Sequence, residues 1–163
     1  MRFNQNRKFI ELVNANFSLA EDAIQLDGRL KGLKWITPQY IDKPLDEIHY
    51  LIDAKNILSK KSGRKIIVTD YQFFSSFLNN KFTSPNKWYD ELSIPDRKNK
   101  YYDVHKNFFL SKIKKNKISY LFFVGQNKNE MYFFKEFLNE NECIISNRLN
   151  ELLLEFDISK CNF

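Results

Sequence analysis

The stretch KIIVTDYQFFSSF, residues 65–77, decides the expected fold. It opens with a continuous apolar run, which is typical of a β-strand buried on both faces. Thr69 and Asp70 follow where this strand should end, and aromatic residues then recur at a helical spacing. A strand, an acidic turn and a helix in this order are typical of a parallel α/β sheet, which binds ligands at its carboxyl edge. Asp70 is therefore the first candidate for a functional residue.

Further elements on both sides of this stretch predict a doubly wound sheet. The clearest helices, each with an apolar stripe, are predicted at 44–59 and 101–115, and a second buried strand at 118–124. Shorter predicted segments are strands at 7–14 and 142–146, an extended piece at 30–38, and helices at 18–26, 71–78, 130–138 and 148–156. Helix, basic link, strand and helix follow each other twice, which favours right-handed crossovers.

These elements predict one α/β domain over residues 1–163. Its fold class is expected to be Rossmann-like: a small, doubly wound, mostly parallel sheet of three to four strands flanked by helices. Residues 1–44 would form an N-terminal extension that packs on the core. Residues 81–100, with two prolines and many polar side chains, would form a long loop, and loops of this length are usually functional or mobile.

The composition fits a folded domain with a large core. Hydrophobic residues make up 43% of the 163 residues, so a disordered chain is excluded. No apolar run approaches the roughly 18 residues of a membrane span. The charged N-terminus lacks the apolar segment of a signal peptide, so a chain that naturally starts at Met1 is expected to be cytoplasmic.

The net charge of +6 is concentrated in three basic clusters, at residues 60–65, 97–100 and 112–117. Two of them lie between a predicted helix and a predicted strand, where lysine complements the helix dipole. A basic surface permits binding to nucleic acid or to an anionic membrane. No nucleic-acid reader motif accompanies the charge, so a solvated surface is favoured and nucleic acid is not an expected partner.

Aromatic residues near turns form a second set of candidates, namely Trp35, Trp88, Tyr89, Tyr101 and Tyr102. Aromatic rings of this kind can stack on sugars or bases. Packing within the fold is the simpler role, because Trp and Tyr are mostly buried. Trp88 and Tyr89 are expected to fold back over the carboxyl edge of the sheet.

The candidates for chemistry each have a structural alternative. Asp70 could bind a sugar hydroxyl, a cation or a base edge, but capping of the following helix is favoured. His105 lies in the first turn of a helix and has no partner at a metal-binding spacing. Neither a phosphate-binding glycine loop nor a serine elbow is present, so no cofactor and no metal are expected. Cys143 and Cys161 would be free thiols in the cytosol or a disulfide in an oxidising compartment.

Three segments carry a resemblance to a known family: LKGLKWITP at 30–38, KIIVTDYQFF at 65–74, and SPNKWY at 84–89 with KYY beyond it. The chain resembles, over most of its length, the soluble C-terminal region of bacterial polytopic membrane proteins that are glycosyltransferase-like, of the dolichyl-phosphate-mannose mannosyltransferase type. In that family the catalytic acidic residues lie in the membrane part, so none is carried over. The resemblance implies a domain on the extracytoplasmic, periplasmic side of a bacterial membrane, where Cys143 and Cys161 would pair.

The expected function is therefore that of a non-catalytic accessory domain of a membrane glycosyltransferase-like protein. It would position a glycan, a lipid-linked sugar or a partner beside the membrane-embedded part of the parent protein or an anionic membrane surface. The expected ligand-binding residues are Asp70, Tyr71, Trp35, Trp88, Tyr89, Tyr102 and His105. The alternative is a stand-alone α/β enzyme that acts on a nucleotide or sugar-nucleotide, with Asp70 as the ligand-binding acid.

Overall fold

The structure is a computed structural model, and it describes residues 12–69, 71, 74–78, 94–125, 137–138 and 143–162. The chain divides into two compact units, Met1–Ile52 and Asp53–Phe163. Helix α1 (Pro44–Lys60) contains the boundary between them. Its bounds confirm the helix predicted at 44–59, which begins with proline and carries acidic residues in its first turn. Within the described ranges no helix is long and apolar enough to cross a bilayer.

Short elements form the described part of the N-terminal unit. Strands β1 (Glu21–Asp22) and β2 (Lys34–Trp35) pair in an antiparallel ladder. The helix predicted at 18–26 is wrong, because the backbone of β1 pairs with β2 in the middle of this segment and leaves only short 3-10 turns on either side. The strand predicted at 7–14 lies largely outside the described residues, and its last three residues form a turn.

The C-terminal unit is built on a four-stranded mixed sheet. Its elements are β3 (Lys65–Thr69), α2 (Tyr102–Asn116), β4 (Tyr120–Val124), β5 (Ile145–Arg148) and β6 (Leu153–Asp157). The strand order is β3-β4-β6-β5, in which β3 and β4 are parallel and β6 is antiparallel to both of its neighbours. The two buried strands predicted around 66–68 and 118–124 and the helix predicted at 101–115 are confirmed.

The predicted Rossmann-like fold, doubly wound and mostly parallel, is wrong. The structure has a two-stranded antiparallel sheet and a four-stranded mixed sheet, with one parallel pair in the described residues. The error lies at 148–156, where a helix was expected and a turn leads into β6. Leucines in this segment fit a helical spacing, but Leu154 and Ile158 are buried as well. Apolar residues therefore occupy both faces, as they do in a strand buried on both sides.

One face of the mixed sheet packs against α2 to form the core of this unit. The buried residues of this core include Ile66, Val68, Phe109, Ile113, Leu121, Phe123, Leu154 and Phe156. The strand residues in this set alternate along each strand, as the pleat requires. Glu155, which lies between two of them in sequence and opposite Phe122 in register, therefore faces the other side of the sheet.

Several predicted segments are described only in part. The predicted helix at 71–78 contains a 3-10 helix at Phe74–Phe77. The predicted helix at 130–138 and the loop at 81–100 lie mostly outside the described residues, and the described part of the loop, 94–100, is irregular. The third strand, predicted at 142–146, is present as β5 at Ile145–Arg148. The extended piece predicted at 30–38 contains β2.

Candidate ligand pocket beside the disulfide

The functional prediction centres on Asp70, which follows β3, and on the aromatic residues expected to pack near it. Asp70, Trp88 and Tyr89 lie outside the described residues, so their roles stay predictions. Tyr71 is half-buried, and its backbone N–H donates to Thr69 Oγ1 at 3.0 Å. The threonine hydroxyl thus accepts a hydrogen bond from the backbone two residues further on, which is a common role for threonine.

Tyr102 and His105, both predicted as ligand residues, meet at one aromatic ring. The ring centroids of Tyr102 and His105 each lie 5.5 Å from that of Phe137, and Phe109 lies 5.8 Å from the same ring. Phe137 is fully buried, and Tyr102 packs against the core. Burial lowers the pKa of His105, so its imidazole is neutral at pH 7. These contacts favour a packing role for both residues.

Trp35 belongs to the N-terminal unit, where its indole is engaged in a structural contact. Its Nε1–H donates to Glu47 Oε2 at 2.7 Å, and the hydroxyl of Thr37 donates to the same oxygen at 2.8 Å. Glu47 is fully buried in the first turn of α1. Two donors satisfy a carboxylate that would otherwise be costly to bury. The contact therefore fastens β2 to the start of α1.

A buried charged group on the side of the sheet opposite α2 was not predicted from the sequence. Glu155 Oε2 and Lys61 Nζ form an ion pair at 2.7 Å, and the side chain of Glu155 is 5% exposed. The same ammonium lies 4.2 Å from the ring centroid of Tyr120. Burial lowers the pKa of Lys61, but its hydrogen bond to Glu155 and the nearby negative charges outweigh burial and raise it. A glutamate inside the apolar run LLLEFDI was the signal for this group.

Lys65 is buried close to this ion pair and has a structural role. Its Nζ donates to the carbonyl oxygens of Leu58 and Lys61, each at 2.7 Å. These carbonyls lie at the end of α1, where the last turn of a helix leaves acceptors without intrahelical partners. Burial, followed by repulsion from Lys61, lowers the pKa of Lys65. The lysine therefore caps α1 from the first residue of β3.

A pocket of about 520 Å³ lies at the carboxyl end of α2. It is lined by Ile113, Lys114, Lys117, Ile118, Ser119, Ile158, Ser159, Cys161 and Asn162. Lys117 has a φ of 49°, in the left-handed region, and its N–H donates to the carbonyls of Ile113 and Lys114. This cap turns the chain sharply from α2 towards β4. Lys114 and Lys117 line the pocket and are exposed, so they lie on its rim, whereas the three isoleucines that line it are buried.

The disulfide between Cys143 and Cys161 adjoins this pocket through Cys161. It joins positions whose Cα atoms are 5.3 Å apart and which are separated by 18 residues in sequence. Ser159, which also lines the pocket, donates both its hydroxyl and its backbone N–H to Asp157. The hydroxyl bond lowers the pKa of Asp157 although burial opposes it, and the backbone bond and the charges of Lys61 and Lys160 lower it further. The segment after β6 is thus fixed by a covalent bond and by a carboxylate.

The charges of this pocket favour an anion. Its lining residues include two ammonium groups, two hydroxyls and an amide, and none of them is a carboxylate. Lysine binds phosphate as a point charge, while hydroxyl and amide groups can bond to sugar hydroxyls. Within the described part of the chain, no group of three or more His, Cys, Asp or Glu residues could hold a metal ion.

Comparison with known proteins gives no relative for this chain. No protein-family model, no curated protein and no solved structure matches it. The function must therefore be argued from the residues themselves.

Proposed function

We propose that the C-terminal unit binds a phosphate-bearing sugar, such as a lipid-linked sugar, as an accessory domain of a membrane glycosyltransferase-like protein. The observation that carries this proposal is the pocket with Lys114 and Lys117 on its rim, next to the disulfide. The glycosyltransferase context comes from the resemblance of the sequence, and the pocket supplies a place for the ligand.

The disulfide supports an extracytoplasmic location for this activity. Disulfides form and persist in oxidising compartments such as the bacterial periplasm, and they are rare in the cytosol. The bond between Cys143 and Cys161 uses both cysteines of the chain, so no free thiol remains among them. A periplasmic domain of this kind would meet the sugars that a membrane transferase handles on that side.

The chemistry of the pocket matches the two parts of a sugar phosphate. Lys114 and Lys117 are exposed and supply positive charge for the phosphate. Ile113, Ile118 and Ile158 also line the pocket but are almost fully buried, so the sugar would be held mainly by the accessible polar groups of Ser119 and Asn162. The pocket has a volume of about 520 Å³ and is open to solvent, so a bound sugar phosphate would stay partly hydrated.

The proposal is tested by calorimetric titration of the whole oxidised chain with a hexose 1-phosphate and, separately, with the uncharged hexose. We expect the phosphate to bind and the neutral sugar to bind at least tenfold more weakly. The double variant Lys114→Gln/Lys117→Gln should weaken phosphate binding by about tenfold, since each exposed ion pair contributes up to about 1 kcal/mol. Glutamine at position 117 keeps a side chain in the same left-handed position, so the backbone strain is unchanged.

The matched control is Lys60→Gln/Lys98→Gln, which removes the same charge from two exposed positions outside the pocket. This control should bind the sugar phosphate as the wild type does. Equal loss of affinity in both double variants would show that only the net charge attracts the ligand, and the pocket assignment would be abandoned. Absence of binding by the wild-type chain to any sugar phosphate would also overturn the proposal.

A further inference from the structure

Helix α2 carries a second apolar stripe on its solvent side. Tyr101, at the N-cap, is 59% exposed, Val104 is 67% exposed and Phe108 is 42% exposed. Their spacing of three and then four residues places them on one side of the helix. The opposite side is already used, because Phe109 and Ile113 are buried in the core. A surface helix of a globular protein normally has one apolar stripe, so the second stripe indicates a surface that binds another molecule.

Lysines border this stripe at both of its ends. Lys100 Nζ lies 4.8 Å from the ring centroid of Tyr101, and Lys112 Nζ lies 5.1 Å from that of Phe108. Lys115 is exposed two turns beyond Phe108 on the same side. The acidic residue of α2, Asp103, lies on another side, because neighbouring positions of a helix differ by about 100°. The stripe is therefore apolar at its centre and positively charged at both ends.

We propose that this face of α2 docks on an anionic lipid surface. Tyrosine and phenylalanine are typical of the boundary between headgroups and acyl chains, where lysines extend towards the phosphates. The cations that border the stripe are all lysines, which interact favourably with lipid phosphates and are less common at protein interfaces than on the rest of the protein surface. The inference extends the proposed function to the membrane, but it depends on different residues from those of the pocket.

The test measures flotation of the whole oxidised chain with two kinds of vesicle. One is made of phosphatidylcholine alone and the other of phosphatidylcholine with one quarter phosphatidylglycerol, which is anionic. We expect binding to the anionic vesicles, with an affinity that falls as salt is added. Lys100→Gln/Lys112→Gln should weaken this binding by about 30-fold, since each nearby cation contributes about fivefold. Val104→Ser/Phe108→Ser should weaken it by at least tenfold through loss of apolar contact.

Matched controls separate this surface from general effects of charge and hydrophobicity. Lys60→Gln/Lys160→Gln removes two exposed lysines elsewhere in the same unit, and Ile145→Ser removes a side chain that is 47% exposed in β5. Both controls should bind vesicles as the wild type does. The proposal would be overturned if a control lost as much vesicle affinity as the α2 variant that it matches. Equal binding of the wild type to neutral and anionic vesicles would also overturn it.

Further measurements distinguish lipid docking from sugar-phosphate binding in the pocket and from a protein interface. Lys114→Gln/Lys117→Gln should still float with anionic vesicles to within a few-fold of the wild type, and Val104→Ser/Phe108→Ser should keep its sugar-phosphate binding. The pocket proposal can therefore fail while the lipid-docking proposal stands, and lipid docking can fail while the pocket proposal stands. Self-association of the wild type in sedimentation, abolished by Val104→Ser/Phe108→Ser and without vesicle binding, would assign the stripe to a protein interface and refute lipid docking.

Discussion

Removal of the disulfide gives the sharpest prediction about stability. Cys143 and Cys161 close a loop across 18 residues of sequence, and cross-linking such a loop removes freedom mainly from the unfolded chain. For a loop of this length the free energy of unfolding should fall by roughly 3 kcal/mol when the bond is cut. In a protein of this size that corresponds to a melting temperature lower by about 6–12 °C.

The assay is thermal melting of the wild type and of Cys143→Ser/Cys161→Ser, each with and without a reducing agent. The reduced wild type and the double variant should melt at the same lower temperature. The melting temperature of the double variant should not change when the reductant is added, and this controls for effects of the reductant other than cutting the disulfide. A wild type whose melting temperature changes by less than about 2 °C on complete reduction would refute the loop-closure argument.

Two further perturbations test the buried polar groups of the C-terminal unit. Lys61→Met leaves the carboxylate of Glu155, which is 5% exposed, without its cation. The free energy of unfolding measured in urea should therefore fall by about 3 kcal/mol. The control Lys60→Met, at an exposed position, should change it by less than about 0.5 kcal/mol. Burial lowers the pKa of His105, so its contribution to stability is complete above pH 6.5 and is lost as the pH falls through the folded-state pKa. Thermal melts of the wild type and of His105→Phe at pH values from 7 downwards should show that the melting temperature of the variant changes less with pH than that of the wild type.

The long regular elements could be predicted because their patterns are local. Helix α1 has a proline start, acidic residues in its first turn and a basic stop, and the structure ends it within one residue of the prediction. The run IIV in β3 and the run LFFV in β4 leave few other options for short buried segments. Each of these predictions depended on side chains within a few residues of each other.

The strand β6 could not be predicted in the same way, because its apolar residues fit two periods. Leu149, Leu152, Leu153 and Phe156 match a helix, and the same segment with Leu154 added matches a strand buried on both faces. Pairing decides between them: β6 gains partners on both sides, β4 and β5, and a turn closed by Asn150 precedes it. The strand β5 lies just before β6 in the sequence, but β4 is distant in sequence, so the local pattern of residues 148–156 does not reveal the pairing with β4.

The direction of β6 explains how the pocket beside the disulfide forms, whereas Asp70 lies outside the described residues and its role stays a prediction. In a wholly parallel sheet the carboxyl ends of the strands share one edge, and Asp70 was expected there with its aromatic neighbours. The antiparallel β6 instead brings its own carboxyl end to the start of β4, where Tyr120 pairs with Asp157. Hence the residues after β6 reach the turn between α2 and β4.

The reversed strand also gives the disulfide a defined place. Because β5 is antiparallel to β6, the start of β5 lies beside the end of β6, and Ile145 pairs with Asp157. Cys143, two residues before β5, can therefore bond to Cys161, four residues after β6. The bond fastens a segment that lines the pocket, so its loss should weaken the proposed sugar-phosphate binding at Lys114 and Lys117 more than the proposed lipid binding of the apolar stripe of α2.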